Sequence, residues 1–277
     1  MRRKKLTSYV SAEVLEIRVF PAASPFVLMN GDLIITGTAR SNTISVTESN
    51  GQVIAKIDRR QQSFDAALIG HVEIFALGGN DKIIVATAKG AIIDSGSGND
   101  RVICTPETRG RIFGGIGNDY LRGGDVGNDI FGDAGNDTLI GGNGDDLMFG
   151  DAGNDSLVGG NQEDTMYGGG GNDRVLGGNG RDYILDIAGS NFLDGGNDDD
   201  ELIVLSGKNT ILGGSGNDAI HIEYTLPPTG IIDGGSGDFD RLYCNLAGGL
   251  IIEPRLLFGD NMVIRNVEES IYGIYPF

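Results

Sequence analysis

The chain has 277 residues, 47 of them glycine, and a formal net charge of −18 at pH 7. This length is enough for one solenoid or for two ordinary domains. The acidic balance argues against nucleic-acid binding, because such a ligand is held by a positively charged surface. No run of about eighteen apolar residues is present, so the sequence predicts no transmembrane helix.

Residues 1–24 differ from the rest of the chain in charge. The segment has four consecutive basic residues from Arg2 to Lys5, and Glu13, Glu16 and Arg18 interrupt its apolar stretch. It therefore lacks the apolar core of a signal peptide. The stretch LEIRVFPAA resembles an LExR-type leader of exported bacterial repeat proteins. Two interpretations stay open for this basic N-terminal segment, a leader of that kind and a mobile or weakly helical tail.

Residues 25–113 have a strand-like but irregular pattern. Short apolar runs are separated by turn residues, and Ser49-Asn50-Gly51 favours a hairpin turn. The stretches ALGGNDKIIV and DSGSGNDRV contain Asp81 and Asp100 in copies of the repeat that follows downstream. We predict irregular β coils that cap a solenoid. Asp100 is a candidate metal ligand, whereas metal binding by Asp81 stays open.

Residues 114–221 repeat every nine residues. Units such as GDAGNDTLI and GGNGDDLMF have six turn-forming residues followed by three strand-like ones, and the eighth residue, here Leu139 and Met148, is aliphatic in every unit. One unit buries almost nothing, so units must stack to line up their aliphatic residues. Two units make one coil of eighteen residues, with coils about 4.8 Å apart. The sequence thus predicts an all-β fold, a parallel β-roll or right-handed β-solenoid with irregular β caps at both ends.

The sixth residue of most units is aspartate, and the eighteen-residue coil places these aspartates along two edges of the stack. One edge carries Asp119, Asp137, Asp155 and Asp173, and the other carries Asp146, Asp164, Asp182, Asp200 and Asp218. Carboxylates about 5 Å apart in successive coils repel each other strongly. A hard divalent cation with six to eight oxygen ligands removes this repulsion, and calcium fits better than magnesium.

These units resemble the RTX, or haemolysin-type, calcium-binding nonapeptide GGxGxDxUx. The resemblance implies a parallel β-roll that folds when calcium arrives, with the sixth-position aspartates and turn carbonyls as ligands. In the unit that begins at Gly123, Asn128 holds the sixth position, and we expect Asp129 to reach the ion instead. Asn191 and Asn209 replace the aspartate outright, so we expect this edge to lose its ions after Asp173. About five to nine bound calcium ions are expected.

Residues 222–277 are predicted to form longer C-terminal β coils and a cap. The stretch GGSGDFDRL carries Asp238 and Asp240, which make one further candidate calcium site. The apolar, β-rich end of the chain has two interpretations. It is either a final capping coil, which we favour because solenoids need caps, or an uncleaved C-terminal export signal of the kind used in the family that the repeats resemble.

No catalytic constellation is recognisable in the sequence. His71 and His221 do not belong to an HExxH motif, and the serines between glycines do not form GxSxG. We therefore predict no enzyme activity. The favoured hypothesis is a calcium-binding module, secreted or at the cell surface, with a structural or adhesive role and a cell-surface glycan or matrix as a further candidate partner. The alternatives are the non-catalytic repeat region of a secreted toxin or hydrolase-type factor, and a β-solenoid polysaccharide-active enzyme.

Overall fold

A computed structural model describes residues 24–224, 229–236, 240–246, 262–265 and 269–271 of the chain. In these residues the structure is almost entirely β, with one short 3-10 helix at Ala66–Leu68. The strands of the first half are β1 (Phe26–Met29), β2 (Asp32–Thr38), β3 (Thr43–Ser49), β4 (Gln52–Ile57), β5 (Arg60–Asp65), β6 (His71–Leu77), β7 (Lys82–Ala86), β8 (Gly90–Asp94), β9 (Arg101–Cys104), β10 (Gly110–Ile116), β11 (Tyr120–Arg122), β12 (Asp129–Ala134) and β13 (Thr138–Gly142). Those of the second half are β14 (Leu147–Ala152), β15 (Ser156–Asn161), β16 (Thr165–Gly170), β17 (Arg174–Asn179), β18 (Tyr183–Asp186), β19 (Phe192–Asn197), β20 (Glu201–Val204), β21 (Lys208–Ser215), β22 (Ala219–Tyr224), β23 (Thr229–Ser236), β24 (Arg241–Leu246), β25 (Met262–Arg265) and β26 (Glu269–Ile271).

The strands form two sheets of 13 strands each. The first sheet has the order β1, β2 and then the even-numbered strands from β6 to β26, and the second has the odd-numbered strands from β25 down to β7, followed by β3, β4 and β5. Each coil of the chain therefore contributes one strand to each sheet. Neighbouring coils pair in parallel, as in β10 with β12 and β11 with β13. This confirms the predicted all-β parallel solenoid.

The repeat length sets the register between coils. From β10 to β20 the paired residue lies eighteen positions further on, as Ile112 pairs with Ile130 and Leu202 pairs with Ile220. Upstream, coils of nineteen residues place Ile93 beside Ile112. Between β2 and β6 the spacing is larger because the antiparallel hairpin of β4 and β5 is inserted there.

The core is a ladder of aliphatic side chains between the two sheets. The eighth residue of each repeat is fully buried, at 0 % exposure for Leu121, Leu139, Leu157 and Leu193. In such a short strand the middle side chain points inward while its two neighbours point outward. Each buried Leu or Ile contributes about 1.5–3 kcal/mol of burial free energy, so stacked coils acquire a core that no single unit has.

The N-terminal end of the solenoid is closed by antiparallel strands. Asn50 and Gly51 have φ of 52° and 72°, which are the left-handed values of a tight hairpin turn, and β3 pairs with β4 around them. The predicted domain boundary at residues 113/114 falls inside β10, and both sheets continue across it. The predicted leader at residues 1–24 lies outside the described residues except for Ser24. In the described part of the chain, no helix has the length and apolar character needed to cross a membrane.

Candidate metal centre

The sixth residue of each repeat lies at the end of a turn, directly before a strand. Because every coil contributes one turn to each edge of the solenoid, these residues stack into two rows. The first row consists of Asn42, Asp81, Asp100, Asp119, Asp137, Asp155, Asp173, Asn191 and Asn209. The second row consists of Asn128, Asp146, Asp164, Asp182, Asp200, Asp218 and Asp240. All these side chains are buried, with at most 6 % exposure.

Each aspartate of a row uses one carboxylate oxygen to join two coils. Its Oδ1 accepts a hydrogen bond from the backbone N–H of the row residue in the preceding coil. The donor–acceptor distance is 2.7 Å from Asp119 N to Asp137 Oδ1, and 2.9 Å from Asp146 N to Asp164 Oδ1. This bond satisfies a backbone donor that would otherwise be buried without a partner at the end of each turn.

The second carboxylate oxygen of each aspartate is left over. Among the residues that the structure describes, thirteen buried Oδ2 atoms have no hydrogen-bond partner, and they belong to Asp81, Asp100, Asp119, Asp137, Asp146, Asp155, Asp164, Asp173, Asp182, Asp186, Asp200, Asp218 and Asp240. A buried polar atom without a partner is costly, and a carboxylate oxygen more so than a neutral one. A series of such atoms on two edges therefore indicates a partner of positive charge.

The free oxygens point at the first glycine of their own repeat. A Cβ added to Gly132 would lie 2.7 Å from Asp137 Oδ2 and 2.8 Å from the carbonyl oxygen of Gly150 in the next coil. The same pair of oxygens surrounds Gly114, at 2.6 Å from Asp119 Oδ2 and 2.8 Å from the Gly132 carbonyl. Glycine is needed at this position because a carboxylate oxygen and a backbone carbonyl oxygen both lie beside its Cα, where any other residue would place its Cβ. We call this space between the two oxygens the gap.

The electrostatics of the rows disfavour bare carboxylates. The pKa of Asp155 is raised from 3.8 to about 7, mainly by burial. The hydrogen bond from Asp137 N–H opposes this rise, and the charges of Asp173 and Asp137 add to it. Burial likewise raises the pKa of Asp164 to about 8, with Asp182 and Asp146 adding repulsion. Without a counter-charge these groups thus tend to bind protons near neutral pH.

Asparagine changes the chemistry of a row position. Asn191 accepts from Asp173 N–H through Oδ1 at 2.8 Å, as an aspartate would, but its Nδ2 donates to the carbonyl of Ala188 at 3.2 Å. Asn209 donates in the same way to Ser206, and Asn128 to Gly124. The amide thereby satisfies both of its polar atoms within the protein and presents no free oxygen to a cation.

Two turns have a non-glycine residue with positive φ at the fourth position of the repeat. Gln162 and Asp198 adopt φ of 74° and 78°, in the left-handed region that costs a non-glycine residue free energy. The row nevertheless continues through these turns, since Asp164 and Asp200 keep the same hydrogen bond and the same free Oδ2 as their neighbours.

The structure does not bring all predicted ligands together. Asp129 lies outside both rows, because Asn128 keeps the sixth position; its carboxylate instead faces Arg111 at the surface, with 3.8 Å between Arg111 Nε and Asp129 Oδ2. The expectation that Asp129 reaches the ion stays a prediction, and this placement gives it no support. Asp238 lies outside the described residues. The other eleven predicted aspartates all carry a free buried oxygen.

Sequence reasoning left metal binding by Asp81 open and missed Asp186, although both residues have a free buried oxygen. Asp81 is 2 % exposed and joins the first row, which its GGNDKII context could have indicated once a nineteen-residue coil was allowed. Asp186 is fully buried and also has a free Oδ2. It occupies the first position of its repeat, where the nine-residue pattern gives no reason to look for a ligand.

The donor set of the rows suits a hard divalent cation. In the part of the chain that the structure describes, no group of three or more His, Cys, Asp or Glu side chains converges on one point. An ion in a row would therefore be held by carboxylates of two successive coils together with backbone carbonyls. This all-oxygen set is what calcium prefers, and calcium accepts the irregular geometry that backbone carbonyls provide.

The comparison with known families agrees with this chemistry. The family model of the RTX calcium-binding nonapeptide repeat matches four stretches of the chain, residues 111–126, 122–157, 149–184 and 187–221. These stretches contain both rows from Asp119 to Asp218. No curated protein matches the chain.

Proposed function

This chain belongs to the RTX calcium-binding nonapeptide-repeat family through residues 111–221, and we propose that calcium fills the gaps between consecutive aspartates of both rows. The observation that carries the proposal is the series of buried Oδ2 atoms without a hydrogen-bond partner. The proposed ligands are the row aspartates Asp81, Asp100, Asp119, Asp137, Asp155 and Asp173, and Asp146, Asp164, Asp182, Asp200, Asp218 and Asp240. Asp129 is left out of this set, and Asp238 stays a prediction from sequence.

Calcium binding and folding are coupled in this proposal. Buried like charges oppose the stacking of coils, and each ion would replace a repulsion by attraction to two carboxylates. A preformed site does not exist in the unfolded chain, so the free energy of ion binding becomes free energy of folding. We therefore propose that the roll is stable where calcium is plentiful and loosens where calcium is scarce.

The test of ion binding is a direct count of bound calcium. Equilibrium dialysis of the full chain against radioactive calcium, with excess magnesium as competitor, should show several bound ions per chain. The double variant Asp137→Ala with Asp155→Ala should bind fewer. Asp129→Ala is the control, because it removes a carboxylate that lies outside both rows and faces Arg111 at the surface. A wild-type chain without bound calcium would contradict the proposal.

For the biological role we propose a structural or adhesive module outside the cell. Extracellular calcium suits the coupling of folding to ion binding. A column of aromatic rings on the outside of the first sheet supports adhesion. Phe113, Phe131, Phe149 and Tyr167 are half-buried there, with successive ring centroids 4.5–5.2 Å apart. Solid-phase binding to cell-surface glycans and matrix proteins, with Phe131→Ser and Phe149→Ser as variants, tests this role. Hydrolysis or cleavage of a glycan by the wild-type chain would instead support the enzymatic alternative.

A further inference from the structure

Asp186 departs from the repeat in a way that the rows do not explain. It is the last residue of β18 and stands at the first position of its repeat, where the two preceding units have Gly168 and Gly177. Its side chain is at 0 % exposure, although a carboxylate is rarely buried without a partner. The same repeat is the one in which Asn191 replaces the row aspartate. The unit has thus lost a carboxylate at its sixth position and carries one at its first.

The carboxylate of Asp186 lies in the gap that a row aspartate faces. Its Oδ1 accepts a hydrogen bond from Ala188 N–H at 3.1 Å, and its Oδ2 has no partner. That Oδ2 lies over Gly168, in the coil that precedes it in the stack. A Cβ added to Gly168 would meet Asp186 Oδ2 and would lie 3.0 Å from Asp173 Oδ2, the other free oxygen of this gap.

Asn191 adds no carboxylate and no charge to this gap. Its amide oxygen accepts from Asp173 N–H, and its amide nitrogen donates to the Ala188 carbonyl. The row would therefore end at Asp173 with a single carboxylate. Two buried free oxygens, from Asp173 and Asp186, instead approach the same glycine, Gly168. Burial raises the pKa of Asp186, and the charge of Asp173 raises it further.

We propose that Asp186 and Asp173 hold one further calcium ion, so that the first row extends one site beyond its last aspartate. The inference rests on the proposed calcium binding of the rows, and it assigns a ligand at a position that the nine-residue motif reserves for glycine. Asp186 thereby takes over the charge that Asn191 lacks. The Asp186 carboxylate fits at this position because Gly168 has no side chain.

The experiment counts bound calcium in four variants by equilibrium dialysis at saturating calcium, with far-UV circular dichroism to verify the fold. Asp186→Asn should bind one ion fewer than the wild type and keep its β signal. Asp194→Asn, which removes a partly exposed carboxylate from the same repeat, should bind the wild-type number. Asp186→Gly should lose one ion, and Asp186→Gly with Asn191→Asp should regain it, because that pair restores the motif.

The outcomes separate this inference from the function on which it rests. An equal ion count for Asp186→Asn and the wild type would overturn the Asp186 site and leave calcium binding by the rows intact. Failure of Asn191→Asp to restore the ion lost in Asp186→Gly would also overturn it, since the two carboxylates would then not be exchangeable. A wild-type chain that binds no calcium would overturn the proposed function itself.

Discussion

The backbone N–H of Asp119 donates to Oδ1 of Asp137 in the next coil over 2.7 Å, while Oδ2 of Asp137 has no partner at all. The hydrogen bond to Oδ1 orients the carboxylate of Asp137, and Oδ2 therefore points into the gap beside Gly132. Repeated along both edges, this relationship is the basis for the proposal that the roll depends on bound calcium.

The substitution Asp155→Asn should have opposite effects with and without calcium. In chelator it removes a buried charge that Asp173 and Asp137 repel. The free energy of unfolding should therefore increase by about 1–3 kcal/mol, and the β signal should rise. With calcium it removes a ligand, so the calcium concentration at half-folding should increase about tenfold or more. Circular dichroism in both conditions measures the two shifts. If Asp155→Asn stabilised the fold in both conditions, or destabilised it in both, Asp155 would not be a ligand.

Acid should stabilise the calcium-free roll. The row carboxylates have folded-state pKa values raised from 3.8 to about 6 for Asp137, about 7 for Asp155 and about 8 for Asp200, with burial as the largest cause. The folded state therefore binds more protons than the unfolded state between about pH 4 and pH 8, and stability is lost as the pH rises through this window. In chelator the β signal should increase from pH 8 to pH 5, whereas with saturating calcium it should change little. A calcium-free roll that is most stable at pH 8 would refute this.

The aliphatic ladder should carry much of the stability of the loaded roll. Leu139→Ala leaves a cavity in a fully buried position and should cost about 2–5 kcal/mol in urea unfolding with calcium present. Ile116→Ala is the matched control, because Ile116 is 70 % exposed and its truncation should change the unfolding free energy by less than about 0.5 kcal/mol. Equal costs for the two variants would mean that the ladder is not the core.

The first glycine of a repeat should be sensitive to a single methyl group. In Gly132→Ala the new Cβ would lie 2.7 Å from Asp137 Oδ2 and 2.8 Å from the Gly150 carbonyl, both closer than normal contact, so calcium affinity should fall. Gly70→Ala is the control, since its Cβ would meet nothing closer than the Gly31 carbonyl at 3.7 Å. Isothermal calorimetry of both variants measures the difference. Unchanged calcium binding in Gly132→Ala would show that this gap holds no ion.

The sequence was sufficient to predict those parts of the structure in which the nine-residue repeat is strictly kept. The eighth residues, such as Leu139 and Leu157, determine the core, and the eighteen-residue spacing determines which aspartates stack. Both follow from period alone, because parallel coils of constant length must bring equivalent residues together.

The placement of Asp129, Asp81 and Asp186 could not be predicted from the repeat period, because it depends on local backbone geometry and on coils of a different length. Asp129 was expected to replace Asn128, yet the strand that begins at Asp129 turns its side chain outward and leaves Asn128 in the row. Asp81 belongs to a nineteen-residue coil and therefore falls out of an eighteen-residue count. Asp186 fills a glycine position, and its relation to Asp173 is visible only once the coils are stacked.

The most direct test of the account is a calcium titration of the full chain, starting in chelator, followed by far-UV circular dichroism and calorimetry, with magnesium as the control ion. We predict a cooperative gain of β signal with a heat of binding for calcium, and neither change for magnesium. Full β structure in chelator, together with no heat on addition of calcium, would contradict the central claim that ions between the aspartate rows hold the coils together.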